Sequence, residues 1–423
     1  MSQLIIFKIV LGIIGALLFV FQIALWKRLL PWTRHLKWIK FYRYLYFSIL
    51  FFSQALIWIG VLYPGRGSSH AYPEWYIPIH KILLAINYTH LFLVLPFLFL
   101  WFVGAIAKRF IKYRQKKNAV LEKNNTAENE NLSRGDFLRK AGVTLYTGAN
   151  LLPAVSSAAA ISGMFLGSKE IWVNEKNITI QNLHNDLKGV RIAQISDSHI
   201  GNLIHEKYLN AAVDLIRAAK LDYIFLTGDI IDNNNLFLPV AGKFIAALRK
   251  LVPWGHVVGV MGNHDYIDNG DKAAQSFGDA GMNVLRNEIA LFTRGKGKLQ
   301  VVGLDYPPIR TSSRLTASKQ YFDTVKKKLK EENPTFVLNH HPSDFEYLKN
   351  EKIDFVFSGH THGGQVRLSH NRESFLNSGS WFYKYYVDLY NENGVQLYVN
   401  RGLGHWFPLR IDCPPEITVF TLV

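Results

Sequence analysis

A chain of 423 residues has room for two or three structural units and a full hydrophobic core. Hydrophobic residues make up 49% and charged residues only 19%, below the ~25% of soluble domains, which argues against disorder and against a wholly soluble protein. Cys413 is the single cysteine, which excludes an intramolecular disulfide framework and a cysteine-based zinc site. The net charge of +16 is uneven: residues 1–167 carry 19 Lys and Arg against 5 Asp and Glu, whereas 168–423 carry 29 against 27. The basic excess therefore sits among the apolar segments, where it acts as a topology determinant and not as a footprint for phosphate backbones, so no nucleic-acid partner is expected.

Four apolar stretches, at 4–26, 42–63, 79–107 and 141–167, are each long enough for the ~20 residues a membrane-spanning helix needs. The first three form a membrane region over 1–107. The fourth carries Thr144, Asn150, Pro153, Ser156 and Ser157 and reads as a span or a signal-like segment. Lys27, Arg28, Arg34, Lys37 and Lys40 follow the first stretch, and Lys108, Arg109, Lys112, Arg114, Lys116 and Lys117 follow the third. By the positive-inside rule both loops are cytoplasmic, so 108–140 is a basic cytoplasmic linker. An even number of crossings then places 168–423 outside the cytoplasm, on a multi-pass protein of the cell membrane. Residues 133–142 (SRGDFLRKAG) resemble a twin-arginine export signal, with Gly135 where its second arginine would stand.

Beyond Gly167 the pattern turns to strands and helices in alternation. Strands are predicted at 189–195, 222–226, 256–260, 299–302, 336–338, 354–357, 397–399 and 417–422, and helices at 206–220, 239–250 and 315–332. Such alternation predicts an α/β domain over 168–423, with sheets covered by helices and functional residues at the carboxyl ends of strands.

Polar clusters fall at five of those ends: Asp197-Ser198-His199, Gly228-Asp229, Gly262-Asn263-His264-Asp265, His340-His341-Pro342 and Gly359-His360-Thr361-His362. In an extended segment Asp197 and His199 project to one face, as do His360 and His362, so each pair can grip one ion. Glycine ahead of a ligand permits a sharp turn and a close approach. The run 381–386 (WFYKYY) reads first as packing, with a lipid-facing lip as its competitor, and Lys326, Lys327, Lys328 and Lys330 read as a solvated helix face.

The five blocks, in this order, resemble the pattern of the calcineurin-like metallophosphoesterases. The likeness tightens at 359–367 (GHTHGGQVR) and 398–417, which resemble the membrane-associated branch described as transmembrane protein with a metallophosphoesterase domain. The resemblance implies a two-sheet sandwich flanked by helices and a centre of two divalent ions. Asp197, His199, Asp229 and His362 would hold one ion, and Asp229, Asn263, His340 and His360 the other. Nitrogen and oxygen ligands without thiolate suit Mn, Fe, Zn or Ni. It also implies His264 as proton donor, with Asp265 holding its ring, in hydrolysis of a phosphate ester or pyrophosphate. Tethering to a lipid bilayer points to a phosphorylated substrate on a phospholipid or lipid-linked carrier. Two alternatives are a UDP-2,3-diacylglucosamine pyrophosphohydrolase, acting at the cytoplasmic face, and an inactive membrane scaffold or receptor of the same fold.

Overall fold

A computed structural model describes residues 170–253, 255–307, 314–405 and 409–423. The four apolar stretches and the basic linker lie outside them. Among the described residues no helix is long and apolar enough to cross a membrane.

In chain order the elements are β1 (Trp172–Ile178), β2 (Arg191–Ile195), α1 (Glu206–Ile216), β3 (Tyr223–Thr227), α2 (Leu238–Arg249), β4 (Val257–Val260), α3 (Gly270–Asp279) and β5 (Asn283–Val284). There follow β6 (Glu288–Arg294), β7 (Gly297–Gly303), α4 (Arg314–Val325), β8 (Thr335–Leu338), the single turn α5 (Phe345–Leu348), β9 (Phe355–Ser358), β10 (Asp388–Glu392), β11 (Val395–Val399) and β12 (Glu416–Leu422). They build two six-stranded sheets, in the orders β1-β12-β2-β3-β4-β5 and β10-β11-β9-β8-β7-β6. In the first, β2 to β5 run parallel and β12 opposes β2; in the second, β7, β8, β9 and β11 are parallel and β6 and β10 close the edges antiparallel.

Central parallel strands are covered on both faces and so read as unbroken apolar runs, YIFLT, VVGV, TFVL and FVFS. Their alternate side chains divide between two cores. Phe225 of β3 points between the sheets, where Phe336, Phe355, Phe357, Tyr398 and Phe420 meet it. Ile224 and Leu226, its neighbours, point outward to Leu209, Val213, Phe244, Leu248 and Phe277 of α1 to α3. On the opposite outer face Val302, Val337, Val356 and Leu397 pack against Phe322 and Val325 of α4 and Phe345 of α5. The result is four layers, helices, sheet, sheet, helices, as the sequence resemblance implied. Phe357 sits centrally, its ring 5.3 Å from Phe225, 5.5 Å from Phe336 and 5.3 Å from Phe420, in edge-to-face geometry.

The predicted helix over 315–332 ends earlier than expected. After Val325 the chain tightens to a 3₁₀ turn at Lys326–Lys328, and Leu329 leaves it in extended conformation. Lys326 is not simply solvated: it pairs with Asp323 at 2.9 Å and Glu351 at 3.1 Å.

Candidate metal centre

The ends of β2, β3 and β4 in one sheet and of β8 and β9 in the other open at the same end of the sandwich. All five polar blocks therefore meet there. The sheets are locked together beneath them by Gln194, fully buried, whose amide donates to the Thr227 hydroxyl at 3.1 Å and the Ser358 carbonyl at 3.0 Å. The ring nitrogen Nδ1 of His340, on the second sheet, donates to the Thr227 carbonyl on the first at 2.8 Å. Both carboxylate oxygens of Asp197 accept from the His360 amide, at 3.0 and 2.9 Å.

Three groups of donors result, and the one that links the other two is His199, Asp229 and His264. Asp197, His199 and His362 bring one ligand atom each within 4.8 Å of one another, and so do Asp229, His340 and His360. In the first, His199 Nε2 lies 3.0 Å from His362 Nε2, and the two lie 3.9 and 3.5 Å from Asp197 Oδ1. In the second, His340 Nε2 is 3.2 Å from Asp229 Oδ2, and Asn263 Oδ1 stands 3.1 Å from His340 Nε2 and 2.9 Å from His360 Nδ1. His199 Nε2 at 3.6 Å from Asp229 Oδ2 joins the groups through that carboxylate. All seven residues expected as ligands are thus brought together.

The donor set fits divalent cations. With Nδ1 of His340 committed to a carbonyl, Nε2 faces Asp229; the carboxylate lifts this imidazole to about 9 against burial, so Nε2 donates to Asp229 while protonated and would turn a lone pair to a cation bound there. Two imidazole nitrogens facing each other at 3.0 Å beside a buried carboxylate are what a shared cation would reconcile. Burial and the charge of His340 push His360 down to about 3, and burial with His199 holds His362 well below the usual imidazole range, so both rings offer free nitrogens. Burial raises Asp197. It would raise Asp229 too, but His340 and His264 outweigh it and keep that carboxylate ionised.

Backbone conformation gives a second sign. Asp197, His199, Asp229, His360 and His362 all have positive φ, between 43 and 70°. L-residues bear such conformations only where surroundings impose them, and they cluster at functional sites. Glycine supplies the close approaches. A Cβ on Gly262 would strike the Asp229 side chain and amide, and one on Gly359 would strike Ser196 and the Asp197 carboxylate.

One expected role is corrected. Asp265 does not hold the His264 ring. It is fully buried, accepting from the amides of Gly262 at 2.8 Å and Ile231 at 3.0 Å, and so ties the third block to the segment after Asp229. The ring is held instead by Asp232: His264 Nδ1 donates to the Asp232 carbonyl at 2.5 Å and lies 3.2 Å from its carboxylate. Burial alone would lower His264, but Asp229 and Asp232 outweigh it and lift the imidazole to about 9. Asp232 also stands 3.4 Å from His199 Nδ1. Sequence reasoning missed it, although it lies three residues beyond Asp229.

Three further residues surround the donors. Arg410, fully buried, donates to the carbonyls of Arg401, Gly402, Gly404 and Cys413 and lies 3.4 Å from His362 Nδ1. Tyr383 places its hydroxyl 3.4 Å from His360 Nε2. His341 stacks on His360 with ring centres 4.2 Å apart, and its Nδ1 accepts from the Ser343 amide at 3.2 Å, so it packs behind the donors while His340 joins them. Cys413 is buried behind the backbone of His362 and Gly363.

A sandwich whose strand ends gather Asp, His and Asn into adjoining donor groups defines a metal-dependent hydrolase. Comparison with known proteins specifies which. The sequence profile of the calcineurin-like phosphoesterases matches residues 190–364. An uncharacterized metallophosphoesterase of Bacillus subtilis, YkuE, is 30% identical over 263 residues, covering 61% of this chain and 87% of YkuE. The UDP-2,3-diacylglucosamine pyrophosphatase LpxG of Chlamydia trachomatis is 27% identical, with 55% and 83% covered. A Danio rerio transmembrane protein with metallophosphoesterase domain is 23% identical, with 63% and 61% covered. The chain belongs to the calcineurin-like metallophosphoesterases and is a metal-dependent phosphoester hydrolase.

Proposed function

We propose that the chain is a membrane-anchored phosphoesterase using two divalent ions of the Mn, Fe, Zn or Ni kind. Its substrate is a phosphate ester or pyrophosphate on a phospholipid or lipid-linked carrier, met on the extracytoplasmic side. The observation that carries this is the convergence of seven Asp, His and Asn side chains from both sheets around Asp229. The apolar stretches ahead of residue 168 and the likeness to the Danio rerio protein support the anchoring.

Asp197, His199, Asp229 and His362 would hold one ion, and Asp229, Asn263, His340 and His360 the other; bound there, the pair supplies Lewis acidity to phosphoryl oxygens and a nucleophile usable at neutral pH. The chain's own part is to place these donors and manage a proton. His264 turns Nδ1 to the Asp232 carbonyl, which leaves Nε2 to hand a proton to the leaving oxygen. Asp232 positions that ring, and Asp265 fixes the loop that carries both His264 and Asn263.

The test is metal content and hydrolysis of bis(p-nitrophenyl) phosphate by the full chain and its Asp229→Asn variant. About two ions per chain and loss of most activity in the variant are expected. A single ion at saturation with unchanged hydrolysis would refute the reading. The likeness to LpxG favours a second reading, a pyrophosphatase of a nucleotide-linked diacyl sugar at the cytoplasmic face. It would be preferred if the carboxyl-terminal domain were cytoplasmic.

A further inference from the structure

The 29 residues between Ser358 and Asp388 leave β9 and return to β10 at the end of the sandwich where the donors lie, because β10 opposes β11 and β11 runs parallel to β9. This excursion carries five large apolar side chains in the open: Leu368 at 61% exposure, Phe375 at 76%, Leu376 at 43%, Trp381 at 59% and Phe382 at 73%. The aromatic run therefore divides: Tyr385 and Tyr386 are core, while Trp381 and Phe382 face outward. A cluster of this kind on a folded domain marks an interaction surface.

The excursion is built, not slack. Asn377 is fully buried, accepting from the amides of Leu368 and Ser369 at 3.0 Å each and donating to the carbonyls of Ser369 at 3.0 Å and Asn371 at 2.7 Å. Trp381 Nε1 donates to the Phe375 carbonyl at 2.6 Å, joining the two halves of the cluster. One residue beyond Phe382, Tyr383 reaches His360. The apolar cluster and the donor groups are thus parts of one rim.

The described chain also enters at this end. Trp172, first residue of β1, pairs with Glu416, first of β12, and β12 opposes β2 with Thr418 beside Gln194, so both strands begin level with the end of β2 and the Asp197 block. Trp172 and Val173 are exposed there, at 45% and 37%. The sequence just ahead, 141–167, is the fourth apolar stretch.

From these observations we infer that Leu368, Phe375, Leu376, Trp381 and Phe382 form a lip that seats in the bilayer interface and brings the donor groups to phosphates at headgroup depth. Aromatic and aliphatic side chains on a rigid support suit that boundary. The inference rests on the membrane-anchored reading above and names the surface that would make it productive.

The full chain is reconstituted in vesicles of phosphatidylethanolamine and phosphatidylglycerol, with an environment-sensitive fluorophore on Phe382→Cys or on the control Leu291→Cys. Leu291 is 55% exposed on the edge strand β6, and the native Cys413 is buried. Brominated acyl chains should quench the label at 382 at least about twofold more than that at 291. Equal quenching in chains that co-sediment with vesicles through a carbonate wash would overturn the lip and leave the anchoring intact. Chains that fail to co-sediment would overturn the anchoring and the lip with it. Shielding of 382 from aqueous iodide without quenching by brominated chains would assign the surface to a second copy or a protein partner, and would also overturn the lip.

Discussion

Asp232→Asn isolates the proton donor from the metal ligands. The substitution keeps the carbonyl that receives His264 Nδ1 and removes the charge 3.2 Å from that ring. His264 is lifted from 6.5 to about 9, against burial, by Asp229 and Asp232 together. Losing Asp232 leaves Asp229 alone to oppose burial, so the imidazole should give up its proton at lower pH. A raised imidazole keeps its proton below its pKa and loses it as pH climbs through that value. At pH 8 a donor of pKa ~9 is ~90% protonated, and once the pKa lies below 8 each further unit costs about tenfold in that fraction. The rate for a phosphodiester with a poor leaving group should thus fall by on the order of tenfold at pH 8, and little at pH 5.5. The assay is kcat/KM against pH for an alkyl and a p-nitrophenyl ester, with metal content measured in parallel. The alkaline limb should move to lower pH for the alkyl ester and much less for the aryl ester, whose leaving group departs unprotonated. An unmoved limb with full metal content would refute the proton-donor role, and loss of metal would recast Asp232 as a support for His199.

Gly262→Ala should weaken metal retention by on the order of 10–100-fold in a chelator competition, since its Cβ would strike the Asp229 side chain and backbone amide together. Arg410→Ala strands the carbonyls of Arg401, Gly404 and Cys413 in the interior, while that of Gly402 keeps the Glu416 amide. At about 1–3 kcal/mol for a buried group left unpaired, the loss should be at least ~3 kcal/mol in urea unfolding, with poor rescue by Arg410→Lys, which lacks the planar fork. Reporter fusions after residues 40, 117 and 423 should read cytoplasmic, cytoplasmic and external, matching the basic loops. A cytoplasmic reading at 423 would favour the nucleotide-linked substrate.

What the sequence made legible follows from where each element sits. β3, β4, β8 and β9 are buried on both faces, so apolarity alone located them, and the motifs at their ends located the donors. The elements missed are sheet edges. β1 (WVNEKNI), β10 (DLYNE) and β6 (EIALFTR) alternate or carry charge because an edge must discourage further pairing, and that composition reads as loop. The helix α3 was missed for a related reason: GDKAAQSFGD buries only Gly270, Ala273 and Phe277. The error at Asp265 is of another kind. Adjacency to His264 suggested a partner, but these neighbouring side chains diverge, one into the interior and one toward the donors. Asp232 announced itself only through the fold, which returns it to His199 and His264 from a separate strand end.

The left-handed residues bear on what the site is for. Among the described residues, positive φ outside glycine falls on Asn and Asp at several turns, where a short polar side chain tolerates it, and on Lys220 and Gln365. The histidines in that region are His199, His360 and His362, all three of them candidate ligands. At about 1–3 kcal/mol for each strained residue, the five candidate ligands with positive φ together hold a sum comparable to the ~5–15 kcal/mol by which a domain is stable at all. A chain selected only to fold would relax that strain with glycine or asparagine. The β2, β3 and β9 ends, cross-tied by Gln194 and by the His360 amide on Asp197, are rigid enough to impose it. What it yields is direction: imidazoles and carboxylates from opposite sheets turned toward one another, an arrangement unfavourable for an apolar core and suited to cations held between them.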